Sequence, residues 1–171
     1  MFIQSTRACY LIEPYKVKID TYTLPPLGPR DILVKMITAS ICETDFKIYV
    51  GEVKPKKLPI VMGHEGFGEV IAKGEKVKSI NVGDKVLIDP NIFDYTCPLC
   101  RLGKYNLCVN GGLMGRDDDG VFRELLIIDE MRVYKIPEEI DAEIVPLIQP
   151  LSTVVHAQSL VEIGPGDRVV I

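Results

Sequence analysis

No apolar run in the 171-residue sequence approaches the about 20 residues that a membrane helix requires, so no membrane partner is expected. The opening MFIQSTRACYLIE lacks the basic start and apolar stretch of a secretory leader. Positive charge is not in excess either. Twenty Lys and Arg against 24 Asp and Glu leave a formal net charge of −4, which argues against a nucleic-acid partner. Cysteine is odd in number, at five, and without a leader this argues against a disulfide framework and for a reducing, cytoplasmic compartment. Internal repeats and low-complexity segments are absent. Asn and Gln are scarce while Lys and Glu are plentiful, a bias found in thermophile proteins.

The length suits one domain with an appendage. Up to about residue 136 the chain is a series of short β-rich runs punctuated by Gly and Pro, which predicts a partly closed, all-β body. The best strands are 9–13, 15–20, 31–40, 61–73, 85–89 and 125–129. Residues 31–40 carry apolar side chains on both faces and are expected to cross the core. A short helix is expected over 44–49. The glycines of GHEGFG (Gly63, Gly66, Gly68) read as a bend or close backbone approach within a strand, not as a phosphate loop. After Pro137 helical spacing replaces strand spacing, over 141–149 and 152–163, around Pro146 and Pro150. A new apolar strand is expected at 168–171.

Asp94, Cys97, Cys100 and Cys108 form D-x2-C-x2-C-x7-C. Three thiolates and a carboxylate at this spacing can converge on one tetrahedral Zn²⁺, as a closed structural site. The alternative is three buried or free cysteines in a turn-rich loop beside a solvated Asp. A second candidate group is Cys42 in CETD with His64 and Glu65 in GHE: one thiolate, one imidazole, one carboxylate. Taken singly, a buried Cys is usually a small hydrophobe and a buried His a hydrogen-bonded one. Asp117, Asp118 and Asp119 lack the ligand spacing of a Ca²⁺ loop and read as an exposed turn.

CETD, GHE, VGDKV, the cysteine lobe and QPLSTVVHA before GDRVVI occur together and in one order. In these motifs the chain resembles the zinc-dependent medium-chain dehydrogenases, and its zinc-ligand pattern resembles that of the archaeal glucose dehydrogenases among them. The resemblance implies a GroES-like, partly open barrel with short helices over residues 1–149. It further implies a connecting helix and the first strand of a truncated Rossmann domain over 150–171. It implies that Cys42, His64, Glu65 and Gln149 hold a catalytic zinc, with Gln149 where many members carry Glu or Cys. Thr44 would then relay the substrate proton, and Asp45 would receive the second ring N–H of His64, although a helix cap accounts for Asp45 equally well. Asp94 stands where the first lobe Cys of the family would be. Lys47 reads as a solvated helix charge, and Asn91 as a candidate contact to a polyol.

The implied cofactors are up to two Zn²⁺ per chain and NAD or NADP. The dinucleotide fingerprint G-x-G-x-x-G would follow the strand at 168–171, where the sequence stops, so a Rossmann-domain half or another copy of the chain is an expected partner. This chain alone is expected to be inactive. The expected activity of the whole is oxidation of a small alcohol, polyol or sugar, with zinc as Lewis acid. The competing reading is a truncated, non-catalytic zinc-binding or interaction module that keeps the fold.

Overall fold

The computed structural model describes residues 4–161 and 163–170. Strand β1 (Ser5–Glu13) turns through Tyr15, held at φ 65°, into β2 (Lys16–Thr23). Strand β3 (Asp31–Ser40) runs almost directly into the helix α1 (Glu43–Tyr49). Two strands, β4 (Ile60–Val61) and β5 (Glu65–Lys73), follow, then β6 (Lys85–Ile88) and β7 (Asn91–Ile92). A lobe containing α2 (Pro98–Arg101) leads to β8 (Gly112–Leu113), β9 (Leu125–Asp129) and β10 (Val133–Lys135). A 3-10 turn at Val145–Leu147 continues into α3 (Ile148–Ser159).

The strands form an antiparallel five-stranded sheet of order β10-β6-β5-β3-β9, a three-stranded sheet β2-β1-β4 and a small β7-β8 pair. Residues 120–124 stitch the first two together. Gly120 N–H donates to Val61 O (2.7 Å), Phe122 N–H to Met62 O (2.9 Å), and Cys9 N–H to Phe122 O (2.8 Å). The result is a mainly β, incompletely closed body, as the motifs imply.

The core follows from the strand alternation. Ile32, Val34, Val70, Val86, Leu126 and Ile128 pack between β3, β5, β6 and β9. On the opposite face of β5, Phe67 packs with Leu87, Ile136 and Val145, and Ile148 at the start of α3 lies against this cluster. A third cluster of Leu11, Ile48, Ile60 and Met62 docks α1 onto β1 and β4. Helix α1 and the first turn of α3 are thereby brought to the end of β5 where Glu65 begins the strand.

Several expectations are corrected. The run 61–73 is two strands in different sheets, because Gly63 between them takes φ 90° and a Cβ there would overlap the Phe122 ring. Strand β3 lies between β5 and β9 yet is buried mainly on one face, with Lys35, Ile37 and Ala39 exposed. Residues 141–149 are not one helix. Up to Leu147 they reach only the 3-10 turn, and α3 begins at Ile148 and runs through Pro150, which is tolerated because first-turn N–H groups have no helical acceptor. Residues 168–170 form no strand, since nothing among the described residues pairs with them, and Ile171 lies outside the described residues. Asp119 is tied down rather than free: its Oδ1 accepts from Val61 N–H (3.0 Å) and its Oδ2 from Lys57 Nζ (2.9 Å).

Candidate metal centres

Cys42 precedes α1 in extended conformation, and His64 and Glu65 stand where β4 gives way to β5. One ligand atom from each of Cys42, His64 and Glu65 lies within 4.8 Å of the others. His64 and Glu65 are buried. Asp45 joins this group to the helix. Its Oδ2 accepts the Cys42 N–H at 2.9 Å, capping α1, while its Oδ1 stands 3.3 Å from His64 Nδ1. Both these facing atoms are buried, and neither has a hydrogen-bond partner among the described residues, so they face each other across 3.3 Å. A helix cap and an orienting contact to His64 are therefore compatible for Asp45, since different oxygens face Cys42 N–H and His64 Nδ1. With Nδ1 facing the carboxylate, Nε2 is the imidazole nitrogen left with a lone pair for a metal.

Thr44 Oγ1 lies 3.9 Å from Cys42 Sγ. Lys47 pairs with Glu43 one helical turn back at 2.8 Å, as a solvated helix charge would. Gln149 is the second residue of α3, next to Ile148 on the Phe67 cluster, and Phe67 is two residues along β5 from Glu65. Gln149 also lines a cleft of about 330 Å³ with Asp89, Asn91, Tyr134 and Ser152. In that cleft Asn91 is turned to Asp89, whose Oδ1 accepts from both the backbone N–H (3.0 Å) and the side-chain amide (2.8 Å) of Asn91.

In the lobe, ligand atoms of Asp94, Cys97, Cys100 and Cys108 likewise lie within 4.8 Å of one another. The local chain explains the convergence. Cys97 caps α2, its Sγ accepting from Cys100 N–H at 3.4 Å, and Cys97 and Cys108 Sγ are 3.9 Å apart. Asp94 Oδ1 accepts from Thr96 N–H (2.8 Å) and Cys97 N–H (2.9 Å), and Oδ2 from the Asn110 amide (2.6 Å). The Cys97 N–H, the Asn110 amide and the Thr96 N–H hold the Asp94 carboxyl well below the usual carboxylate range. Burial, with Cys97, Cys108 and Asp94 close by, pushes the Cys100 thiol up to about 12. Cys97 shifts the other way, lowered by the N–H groups of Cys100 and Val109. Thiolates this close are stabilised by a cation among them and otherwise stay protonated, as the raised Cys100 thiol does, so the group could hold a metal ion.

Sequence reasoning missed the lobe's aromatic anchor and two polar partners. Phe93 packs on Tyr95 and Tyr105 with ring centroids 4.8 and 5.0 Å away, and Arg30 lies over Tyr95 at 5.9 Å. Tyr95 OH donates to Asp129 Oδ1 at 3.4 Å, tying the lobe to the end of β9. Asn110 on Asp94 and Ser40 on Glu65 are the missed polar partners. Asn110, two residues after Cys108, was within reach of a spacing argument; Ser40 was not.

The incompletely closed β body thus carries two compact groups of thiolate, imidazole and carboxylate donors that could hold metal ions. Residues 28–138 match the alcohol dehydrogenase GroES-like domain, and the chain belongs to that family, the zinc-dependent medium-chain alcohol dehydrogenases. It is 40 % identical to the L-threonine 3-dehydrogenase of Symbiobacterium thermophilum, over 78 % of this chain and 39 % of that protein. It is 30 % identical to the sorbitol dehydrogenase of Bacillus subtilis, over 98 % of this chain and 49 % of that one. A structure of an alcohol dehydrogenase from Escherichia coli CFT073 complexed with NADH superposes with TM-score 0.83 at 30 % identity, covering 92 % of this chain and 46 % of its own. The chain thus spans less than half the length of each of these relatives.

Proposed function

We propose that this chain is the zinc-binding catalytic portion of a dehydrogenase that oxidises a small alcohol, polyol or sugar and passes the hydride to NAD or NADP. The observation that carries the reading is the convergence of Cys42, His64 and Glu65, with Asp45 behind His64. Bound there, zinc supplies Lewis acidity that eases loss of the proton from a substrate hydroxyl. Cys42 and Glu65 contribute two negative charges to a buried divalent site, and His64 a neutral donor whose direction Asp45 holds. Thr44, beside Cys42, is the hydroxyl that takes the substrate proton outward. Gln149, close to the Phe67 cluster, would offer a neutral amide oxygen, a weaker donor than a carboxylate, which would leave the ion open to exchange with substrate.

The cleft between Asn91 and Gln149 would take the remaining hydroxyls of a polyol or sugar, and Asp94, Cys97, Cys100 and Cys108 would hold a second, structural zinc. The names of the relatives support a hydroxyl-bearing substrate, and NADH in the Escherichia coli structure supports a nicotinamide acceptor. The reading gives the dinucleotide to the part of the relatives' length that this chain does not span, and the whole to the cytoplasm. The test is a cobalt(II)-loaded chain titrated with L-threonine, sorbitol and glucose. At least one should shift the visible bands, and the shift should vanish in Cys42→Ser. Bands that none of these hydroxyl compounds moves would count against a substrate-binding metal.

A further inference from the structure

One extra residue in β3 decides what faces Glu65. In the register that pairs Met36 with Gly68, an unbroken ladder would set Ala39 opposite Glu65. The register shifts between Met36 and Thr38, leaving Ile37 over, and beyond it Thr38 faces Phe67 and Ser40 faces Glu65. Bulges of this kind re-aim side chains. Directly opposed residues of antiparallel strands share a face, and Ser40 Oγ donates a short hydrogen bond to Glu65 Oε2. Glu65 is 4 % exposed, and no other side-chain hydrogen bond reaches its carboxylate among the described residues. One carboxylate oxygen is thus committed to Ser40, and a carboxylate oxygen of Glu65 lies within 4.8 Å of ligand atoms of Cys42 and His64.

We propose that Ser40 is a positioning residue: its hydroxyl, brought into register by the Ile37 bulge, makes Glu65 a single-oxygen donor to the metal group. The inference rests on the reading that Cys42, His64 and Glu65 hold a metal. Without the hydroxyl, the buried carboxylate loses its one neutral partner and its fixed direction. A ligand whose outer partner is removed typically binds metal about 10–100-fold more weakly.

The experiment compares Ser40→Thr with Ser40→Val, which match each other in shape, suit a strand and differ in the hydroxyl. Zinc affinity is measured on the full chain by competition with a chromophoric chelator, and the cobalt(II) spectrum is recorded for each. The ion lost in Cys42→Ser identifies the site. Ser40→Thr should bind that ion as wild type does. Ser40→Val should bind it about tenfold more weakly and shift its cobalt bands, with the lobe ion unchanged. Should Ser40→Val not fold, Ser40→Ala must show the same loss. Equal affinities and spectra in the Thr and Val variants would overturn the role of Ser40 alone, as would equal losses in both. Retention of every ion in Cys42→Ser would overturn the metal reading and the Ser40 proposal with it.

Discussion

Replacing Asp45 separates a helix cap from a metal-orienting contact, because its two oxygens serve different partners: Cys42 N–H at 2.9 Å and His64 Nδ1 at 3.3 Å. In Asp45→Asn the amide oxygen can keep the cap while the NH₂ turns to His64. A donor at that place pairs with a bare Nδ1, so the imidazole proton moves to Nε2 and the lone pair facing Cys42 and Glu65 is lost. Stability of the metal-free chain should fall by less than about 1 kcal/mol, the size of one altered cap. Zinc affinity at this site should fall about 10–100-fold, or about 1.4–2.7 kcal/mol. In Asp45→Ala both contacts go. A lost cap costs about 1 kcal/mol and an unpaired buried ring N–H about 1–3 more, so about 2–4 kcal/mol of stability is expected. Urea unfolding of the chelated proteins reads the first quantity and chelator competition the second. If Asp45→Asn bound zinc as wild type does, the orienting role would be refuted even if the cap were sound.

The lobe should behave as a unit of its own. Chelation ought to raise hydrogen exchange over residues 93–109 while the two main sheets stay protected, and global unfolding on mild chelation would contradict this. In the metal-free chain the lobe thiols should ionise in a set order: Cys97, lowered by two N–H groups, before Cys100, raised to about 12. Between about pH 7 and 9, iodoacetamide should therefore mark Cys97 before Cys100, and mass spectrometry of peptides would show the reverse if the cause were misread. Gly63→Ala should cost at least about 1–2 kcal/mol in urea unfolding, since φ 90° and the Phe122 ring both oppose a Cβ. A neutral result would mean that the hinge between β4 and β5 relaxes.

What was legible in the sequence was what short spacing encodes. Asp94, Cys97, Cys100 and Cys108 sit close enough along the chain for local turns to gather them, and residues 31–40 read directly as a strand, while 61–73 reads as one strand where the structure has two. Cys42 and His64 are brought together by the packing of α1 and β4 around Ile48, Ile60 and Met62, which no local pattern reports. Their pairing came from the resemblance of the motifs to a family. Ser40 on Glu65 was illegible for a sharper reason: it depends on the register shift at Ile37, and a one-residue slip exchanges Ser40 for Ala39. The helical reading of 141–149 failed because its apolar spacing serves Val145 and Ile148 in packing on Phe67, which a 3-10 turn followed by a helix satisfies as well. Apolar side chains at 168–170 favour a strand, but a strand needs a neighbour to take its N–H and C=O groups.

The most direct test of two separate metal groups is the zinc content of wild type, Cys42→Ser and Cys97→Ser, each loaded with zinc and freed of loosely held ions. Two distinct sites, as the donor groups of Cys42, His64 and Glu65 and of Asp94, Cys97, Cys100 and Cys108 indicate, predict two ions in wild type and one in each variant. The ion that remains in Cys42→Ser should be the more tightly held. Wild-type content in Cys42→Ser, or loss of both ions from either single change, would contradict the account.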